Sequence, residues 1–184
     1  MKCTSCKQGR LEPGYIDTLF SAYTCDKCGG NWIYLVDYLS WQQNAEDFDV
    51  SGMPTVAIEA EDTQQALLCP VTGSLMLKYR ICHDSNHRLD LSPAVNGIWL
   101  DRGEWQLLKN RGLATSLNKI FTAPWQKQVR DDSAKATFEG LYDDKFSEQG
   151  HAKLKALRDW LADQNQRAAM IAYLAAVDPY SANK

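Results

Sequence analysis

The chain has 184 residues and a mass of 20.8 kDa, and 45% of its residues are hydrophobic and 23% charged, which excludes disorder along the whole chain. Its longest apolar run, Ala168 to Val177, is far shorter than the roughly 20 residues of a membrane span, so we expect no membrane partner. The net charge of −3 disfavours a protein that coats nucleic acid, because such proteins are usually basic. The N-terminus has no apolar stretch, and we therefore expect a cytoplasmic protein.

Four of the six cysteines form two Cys-x2-Cys pairs near the N-terminus. Cys3 and Cys6 make the first pair, Cys25 and Cys28 make the second, and 18 residues separate the pairs. Four cysteines at this spacing are typical of a zinc ribbon, in which each pair turns two sulfurs towards one ion. We predict one structural Zn²⁺ per chain with these four cysteines as its ligands; a redox dithiol is the alternative.

The segment between the two pairs has to travel out and back to bring the four cysteines together. We predict a hairpin over Leu11 to Tyr23, with Pro13-Gly14 and Asp17 as turn residues. A helix beginning near Asp37 would complete a first module, residues 1–45. Residues 46–66 hold six acids and no base and are interpreted as an acidic linker, with one short strand over residues 55–58.

The sequence before the linker is partly repeated after it. At an offset of 67 residues, Gly30 and Trp32 align with Gly97 and Trp99. We interpret residues 67–114 as a second, ligand-depleted ribbon followed by a helix. At offsets of 66 and 67 the four N-terminal cysteines align with one cysteine and three residues that bind zinc poorly: Cys69, Thr72, Ser92 and Val95.

A ribbon without metal depends on packing for its stability. Alternation predicts a half-buried strand in which Leu75, Leu77, Tyr79 and Ile81 point inwards. We expect Trp99 and Trp105 to fill the space beside the missing ion. Asp101 and Glu104 have the spacing of a capping box at the start of the following helix. In a competing interpretation, four metal-capable side chains form a rearranged second site: Cys69, Cys82, His83 and His87.

Two segments of the chain resemble a known family. Cys25-Asp26-Lys27-Cys28-Gly29-Gly30-Asn31-Trp32 is similar to the second knuckle of bacterial zinc ribbons of the transcription-factor-IIB type. Gly97-Ile98-Trp99-Leu100-Asp101-Arg102-Gly103-Glu104 is similar to the tail that follows this knuckle. The first copy keeps the cysteines and the second keeps the tail. The resemblance implies zinc binding at the four N-terminal cysteines, and it does not by itself imply a role in transcription.

The last third of the sequence has helical periodicity. Pro124 suits the first turn of a helix, Ser147 can cap another, and a last helix is predicted from Gln166 to Val177, where Pro179 follows. We therefore predict an α+β protein with two small β modules, each followed by a helix, then a helical region over residues 115–178 and a tail over 179–184. The apolar stripes of these helices are core or docking surface.

A basic stretch without acids lies between Glu104 and Asp131 and also contains Phe121 and Trp125. Basic residues interleaved with aromatic ones can contact a nucleic acid, although a solvated helix face gives the same pattern. The candidate nucleic-acid-binding residues are Lys109, Arg111, Lys119, Lys127 and Arg130.

The sequence contains no nucleophile elbow, phosphate-binding glycine loop or metalloprotease motif. We therefore expect no catalytic residues and a non-enzymatic zinc-binding protein. Its partner would be another protein or a second copy of the chain, with the modules acting as an interaction scaffold. The alternatives are a nucleic-acid-binding, transcription-associated ribbon and a thiol sensor that releases zinc on oxidation.

Overall fold

The computed structural model describes residues 1–45 and 60–180. Within these residues the fold is α+β, as predicted, with six strands and six α-helices. The chain divides into two compact units, Met1–Ser133 and Ala134–Lys184, while the five-part organisation remains a prediction. The predicted strand over residues 55–58 lies outside the described residues. The elements are β1 (Leu11–Asp17), β2 (Phe20–Cys25), β3 (Asn31–Tyr34), α1 (Leu35–Asn44), β4 (Leu77–Arg80), β5 (Arg88–Ser92), β6 (Gly97–Leu100), α2 (Glu104–Asn110), α3 (Leu117–Ile120), α4 (Ala123–Phe146), α5 (Glu148–Ala162) and α6 (Arg167–Ala175).

All six strands belong to one antiparallel sheet with the order β1-β2-β3-β6-β5-β4. β1 to β3 form a first meander and β4 to β6 form a second, and each is followed by a helix, α1 and α2 respectively. The two meanders join where β3 pairs with β6, with Trp32 directly opposite Trp99. The segments predicted as two modules thus share a continuous sheet.

The first hairpin forms where the sequence predicts it, but its turn lies elsewhere. The chain reverses at Thr18 and Leu19, next to Asp17, and Leu19 has a positive φ of 56°. Pro13 and Gly14 lie inside β1. β1 is an edge strand, where a proline is tolerated because its missing N–H need not bond to a neighbouring strand.

Two tryptophans and two glycines fill the junction between the meanders. Trp32 and Trp99 are fully buried. A Cβ atom on Gly97 would lie 2.0 Å from Cζ2 of Trp32, and one on Gly30 would lie 2.3 Å from Cζ2 of Trp99. Each glycine therefore makes room for the tryptophan of the opposite meander, which gives the repeated Gly-x-Trp pattern a physical reason.

An aromatic cluster, to which α1 and α2 contribute, covers one face of the sheet. Phe20 lies at its centre, with its ring centroid 5.3 Å from that of Trp41 and 5.0 Å from that of Trp105. Tyr38 is buried in the same cluster, and its hydroxyl donates to the carbonyl of Ala114 at 3.0 Å. Trp105 therefore belongs to this helix-covered core, and the prediction that it fills the space beside the missing ion is wrong.

A second buried cluster covers the opposite face. Trp32 and Trp99 pack there with Leu67, Met76 and Cys69. Strand residues alternate between faces, so the tryptophans lie on this side while their neighbours Ile33 and Ile98 join the aromatic cluster. The sheet is consequently buried on both sides along its central strands.

In the segment that contains β4, the buried and exposed residues differ in part from the predicted alternation. Met76 is buried against the tryptophans, whereas Leu75 and Leu77 are 58% and 46% exposed. Ile81 is buried as predicted, and Tyr79 is half-buried. The alternation rule assumes one wet face, and here apolar residues are needed on both.

The helices begin close to their predicted positions. α1 starts at Leu35, two residues before Asp37. Pro124 is the second residue of α4, and Ser147 caps α5 by accepting a hydrogen bond at Oγ from the Gly150 N–H at 3.3 Å. α6 ends at Ala175. Among the described helices, none has the length and apolar character required to cross a bilayer.

We predict that Gly97→Ala destabilises the sheet by about 1–3 kcal/mol, because its new methyl group would overlap the Trp32 ring and force the junction apart. The measurement is denaturant unfolding of the zinc-loaded protein. Gly14→Ala is the matched control, since it also lies in a strand of the first unit but meets nothing within 4 Å. Equal stability of the two variants would contradict the assigned role of the glycine.

Candidate metal centre

Two backbone turns present the four N-terminal cysteines. Cys3 and Cys6 lie in the turn before β1, which is closed by a hydrogen bond from the Cys3 N–H to the Gly9 carbonyl at 2.9 Å. Cys25 ends β2 and Cys28 follows it, in a turn closed by a bond from the Cys25 N–H to the Gly30 carbonyl at 2.8 Å. The predicted hairpin of β1 and β2 brings these two turns together.

The four sulfurs have the separations of a tetrahedral zinc site. All four Sγ atoms lie within 4.8 Å of one another. The Cys3–Cys28 Sγ distance is 3.6 Å and the Cys6–Cys25 distance is 3.7 Å. Zinc–sulfur bonds of about 2.3 Å in a tetrahedron require sulfur separations of about 3.8 Å, whereas a disulfide needs about 2 Å. These cysteines therefore form a site for one Zn²⁺, as the spacing predicts.

Backbone amides are positioned to stabilise the thiolates. The Gly9 N–H donates to Cys6 Sγ and the Lys27 N–H donates to Cys25 Sγ, each at 3.4 Å. Hydrogen bonds from the backbone N–H groups of Gln8 and Gly9 lower the pKa of Cys6 to about 6. Burial raises the pKa of Cys3 and of Cys28, so zinc binding has to displace protons from these thiols.

Gly9 is a functional residue that the cysteine pattern did not identify. A Cβ atom at this position would lie 2.3 Å from Cys25 Sγ and 2.6 Å from Oδ1 of Asp26. Asp26 in turn braces the two turns, because its carboxylate accepts from the Arg10 N–H at 2.8 Å. The sequence feature that could have identified it is a glycine three residues after the first Cys-x2-Cys pair.

Four protein thiolates complete the coordination shell of tetrahedral zinc. No position remains for water or substrate, so this centre has the composition of a structural site. Zinc supplies here a cross-link between the turn before β1 and the turn before β3. Its binding free energy contributes directly to folding of the first meander.

Two of the residues that align with zinc ligands, Thr72 and Ser92, lie beside Cys69 in the second meander. Cys69 is buried and accepts a hydrogen bond at Sγ from the Thr72 N–H at 3.5 Å. Burial opposes its ionisation, but hydrogen bonds from the Ser92 and Thr72 side chains, together with backbone N–H groups of Thr72 and Val71, lower the pKa of Cys69. Val95 packs against the same cluster, beside Trp99.

The competing four-residue metal set is not brought together. Cys69 lies in the tryptophan cluster, whereas Cys82 accepts from Nη1 of Arg111 at 3.0 Å. His83 is exposed, and His87 lies 3.9 Å from a carboxylate oxygen of Glu104.

The predicted capping box forms only in part. The Glu104 carboxylate accepts from the Asp101 N–H at 2.7 Å, which is one half of the box. The Asp101 side chain accepts instead from Nε1 of Trp99 at 2.8 Å and from the Thr63 N–H at 2.6 Å. Asp101 therefore fixes the buried tryptophan and the connecting segment, while Gly103 precedes the first residue of α2.

Three of the five candidate nucleic-acid-binding residues have acidic partners. Lys109 lies 2.9 Å from Asp17, and Lys127 lies 2.9 Å from Asp131. Arg111 contacts the Asp84 carboxylate at 2.7 Å. The other two, Lys119 and Arg130, are exposed.

The aromatic residues of the basic stretch are engaged in packing. Phe121 makes an edge contact with Tyr79, with ring centroids 5.3 Å apart. Trp125 packs against the core and donates from Nε1 to the Ile81 carbonyl at 2.9 Å. These contacts leave neither ring freely available to stack on a base.

Comparison with known protein families matches residues 2–44 to a zinc ribbon of the TFIIB type, described as a transcription factor zinc-finger. The matched residues include all four clustered cysteines and end within α1. Neither the curated proteins nor the solved structures gave a match. Residues 2–44 thus carry a TFIIB-type zinc ribbon with a structural site for one Zn²⁺.

Proposed function

We propose that this chain is a non-enzymatic, zinc-stabilised interaction protein that binds through its C-terminal helices. The observation that carries the proposal is that none of the nine residues of α6, all within the described part of the chain, is buried. A helix that is apolar along most of its length is normally covered by other protein.

The apolar surface of the second unit is concentrated between α5 and α6. Leu157 and Trp160 of α5 and Met170, Tyr173 and Leu174 of α6 line a groove of about 390 Å³. Trp160, Tyr173 and Leu174 are each more than half exposed. Large apolar side chains in a contiguous patch are typical of a protein contact surface.

The occupant that we favour is the same groove of a second copy. Arg167, at the start of α6, is the only charged residue of that helix, so a partner needs no complementary charge. Two helical hairpins that pack their apolar faces together form a four-helix bundle, and the interface is self-complementary. Alanines in α6 permit a close approach of the two helices.

A nucleic-acid-binding function has less support. Acidic side chains of the same chain compensate much of the charge of three cations in the basic stretch, Lys109, Arg111 and Lys127. The two aromatic rings of that stretch are held in protein contacts. Phosphate binding depends on uncompensated positive charge, and the chain as a whole is acidic.

The second meander is, in this proposal, a ribbon that has lost its metal and kept its packing. Its support is the position of Thr72 and Ser92 around Cys69, together with the reciprocal Gly-x-Trp contacts at the junction. The buried hydrogen bond from Trp99 to Asp101 would add stability to this meander, which has no zinc to cross-link its turns.

We predict that the 184-residue chain dimerises and that Leu174→Glu weakens the dimer at least tenfold, which corresponds to about 1.4 kcal/mol. A carboxylate in the groove would be buried without a partner, whereas the same residue in a monomer is 55% exposed and tolerates the change. Ala168→Glu is the control, because Ala168 is exposed and does not line the groove. Sedimentation equilibrium over a range of concentrations measures the effect.

A strictly monomeric wild-type protein would contradict self-association. A dimer that both glutamate variants leave intact would place the contact elsewhere. Salt-sensitive binding of the monomer to DNA or RNA, weakened by Lys119→Ala and Arg130→Ala, would favour the nucleic-acid alternative.

We also predict that the triple variant Thr72→Cys, Ser92→Cys, Val95→Cys gains a second tetrathiolate site, with Cys69 as its fourth ligand. Substituting Co²⁺ for zinc makes thiolate coordination visible as a charge-transfer absorption. This absorption should double per chain relative to the wild-type protein. An unchanged absorption in a folded triple variant would contradict the interpretation of this meander as a former ribbon.

A further inference from the structure

We propose that Asp62, His87 and Glu104 form a second cation site, which takes one divalent ion of the Mn²⁺, Fe²⁺ or Zn²⁺ group. One donor atom from each residue lies within 4.8 Å of the donors of the other two. The three side chains come from different segments: the connection that leads into the second meander, the residue before β5, and the first residue of α2.

Glu104 presents to this cluster a carboxylate oxygen that accepts no hydrogen bond from any residue that the structure describes. Its side chain is 1% exposed, and its Oε2 atom is occupied by the Asp101 N–H at 2.7 Å. Among the described residues, neither Oε1 of Glu104 nor Nδ1 of His87 has a hydrogen-bond partner. The two atoms lie 3.9 Å apart, which is too long for a hydrogen bond and close enough for one ion between them to draw both into coordination.

Asp62 supplies the third donor and is held by its neighbours. Its Oδ1 atom accepts from the Arg88 N–H at 3.4 Å and its Oδ2 atom accepts from Gln64 at 2.5 Å. Each carboxylate oxygen can accept more than one contact, so these bonds orient Asp62 and leave capacity for an ion. His87 lies next to Arg88 in the chain, so one segment positions both ligands.

The electrostatics of the surroundings favour a bound cation. Asp90 and Asp101 are buried nearby; Lys78 pairs with Asp90, at 2.8 Å, and Arg111 pairs with Asp84. Burial, reinforced by the Asp101 charge, raises the pKa of Glu104 to about 7. A divalent ion would compensate the charges of Glu104 and Asp62 together, whereas a protonated His87 would compensate only one of them.

The donor set determines the class of ion. Two carboxylates and one imidazole suit borderline divalent ions, whereas the soft tetrathiolate centre selects zinc. Three protein ligands also leave at least one coordination position for water, unlike the closed cysteine site. The ion would tie the connecting segment to β5 and α2.

The test titrates the zinc-loaded 184-residue chain with Mn²⁺ and follows free Mn²⁺ by electron paramagnetic resonance. Mn²⁺ does not displace zinc from thiolates, so the cysteine site stays intact. We expect one Mn²⁺ per chain with a micromolar dissociation constant and a rise in the thermal midpoint. Glu104→Gln and His87→Gln should each weaken binding at least tenfold, whereas His83→Gln, an exposed histidine nearby, should not.

Glu104→Gln retains an oxygen for the Asp101 N–H and so preserves the start of α2. If it nevertheless fails to fold, His87→Gln carries the test, because the His87 side chain is 26% exposed. Absence of Mn²⁺ binding to the wild-type protein would overturn the proposal and leave His87 and Glu104 as a simple ion pair. Binding that survives in folded Glu104→Gln and His87→Gln variants would overturn it as well.

Discussion

The antiparallel pairing of β3 with β6 is the contact on which both halves of the sheet depend. It places Trp32 opposite Trp99 and lets each ring occupy the space above a glycine of the other strand. Neither tryptophan could be buried by its own meander alone, because the room for it is provided by the opposite one. The first unit therefore folds around a junction whose residues lie 67 positions apart in the sequence.

Different interactions stabilise the two meanders that meet at this junction. The first contains a zinc site whose four sulfurs cross-link its two turns. The second relies on hydrogen bonds of buried groups, such as that from Trp99 to Asp101. Residue 34, which aligns with Asp101, is a tyrosine whose ring meets Trp32 edge-on at 5.8 Å. The metal-bound half thus lacks the polar anchor that the other half keeps.

The sequence predicted what depends on local spacing and missed what depends on distant contacts. The cysteine pairs identified the zinc site because each pair lies within one turn, and the repeated Gly-x-Trp indicated a relation between two segments. The repeat did not indicate that the two segments pair as neighbouring strands, because neither segment alone encodes an antiparallel register. Lys109 looked available to nucleic acid because its partner, Asp17, is 92 residues away. The burial of Met76 was not predicted, because the alternation rule assumes that only one face of a strand is buried.

Zinc at the four cysteines thus supports the first meander, whereas the second is held by packing and buried hydrogen bonds and does not depend on that ion. The decisive measurement is amide hydrogen exchange of the 184-residue chain before and after zinc removal. We expect the amides of β1 and β2 to lose most of their protection without zinc, whereas those of β5 and α2 remain protected. Loss of protection throughout both meanders, or no loss in β1 and β2, would contradict it.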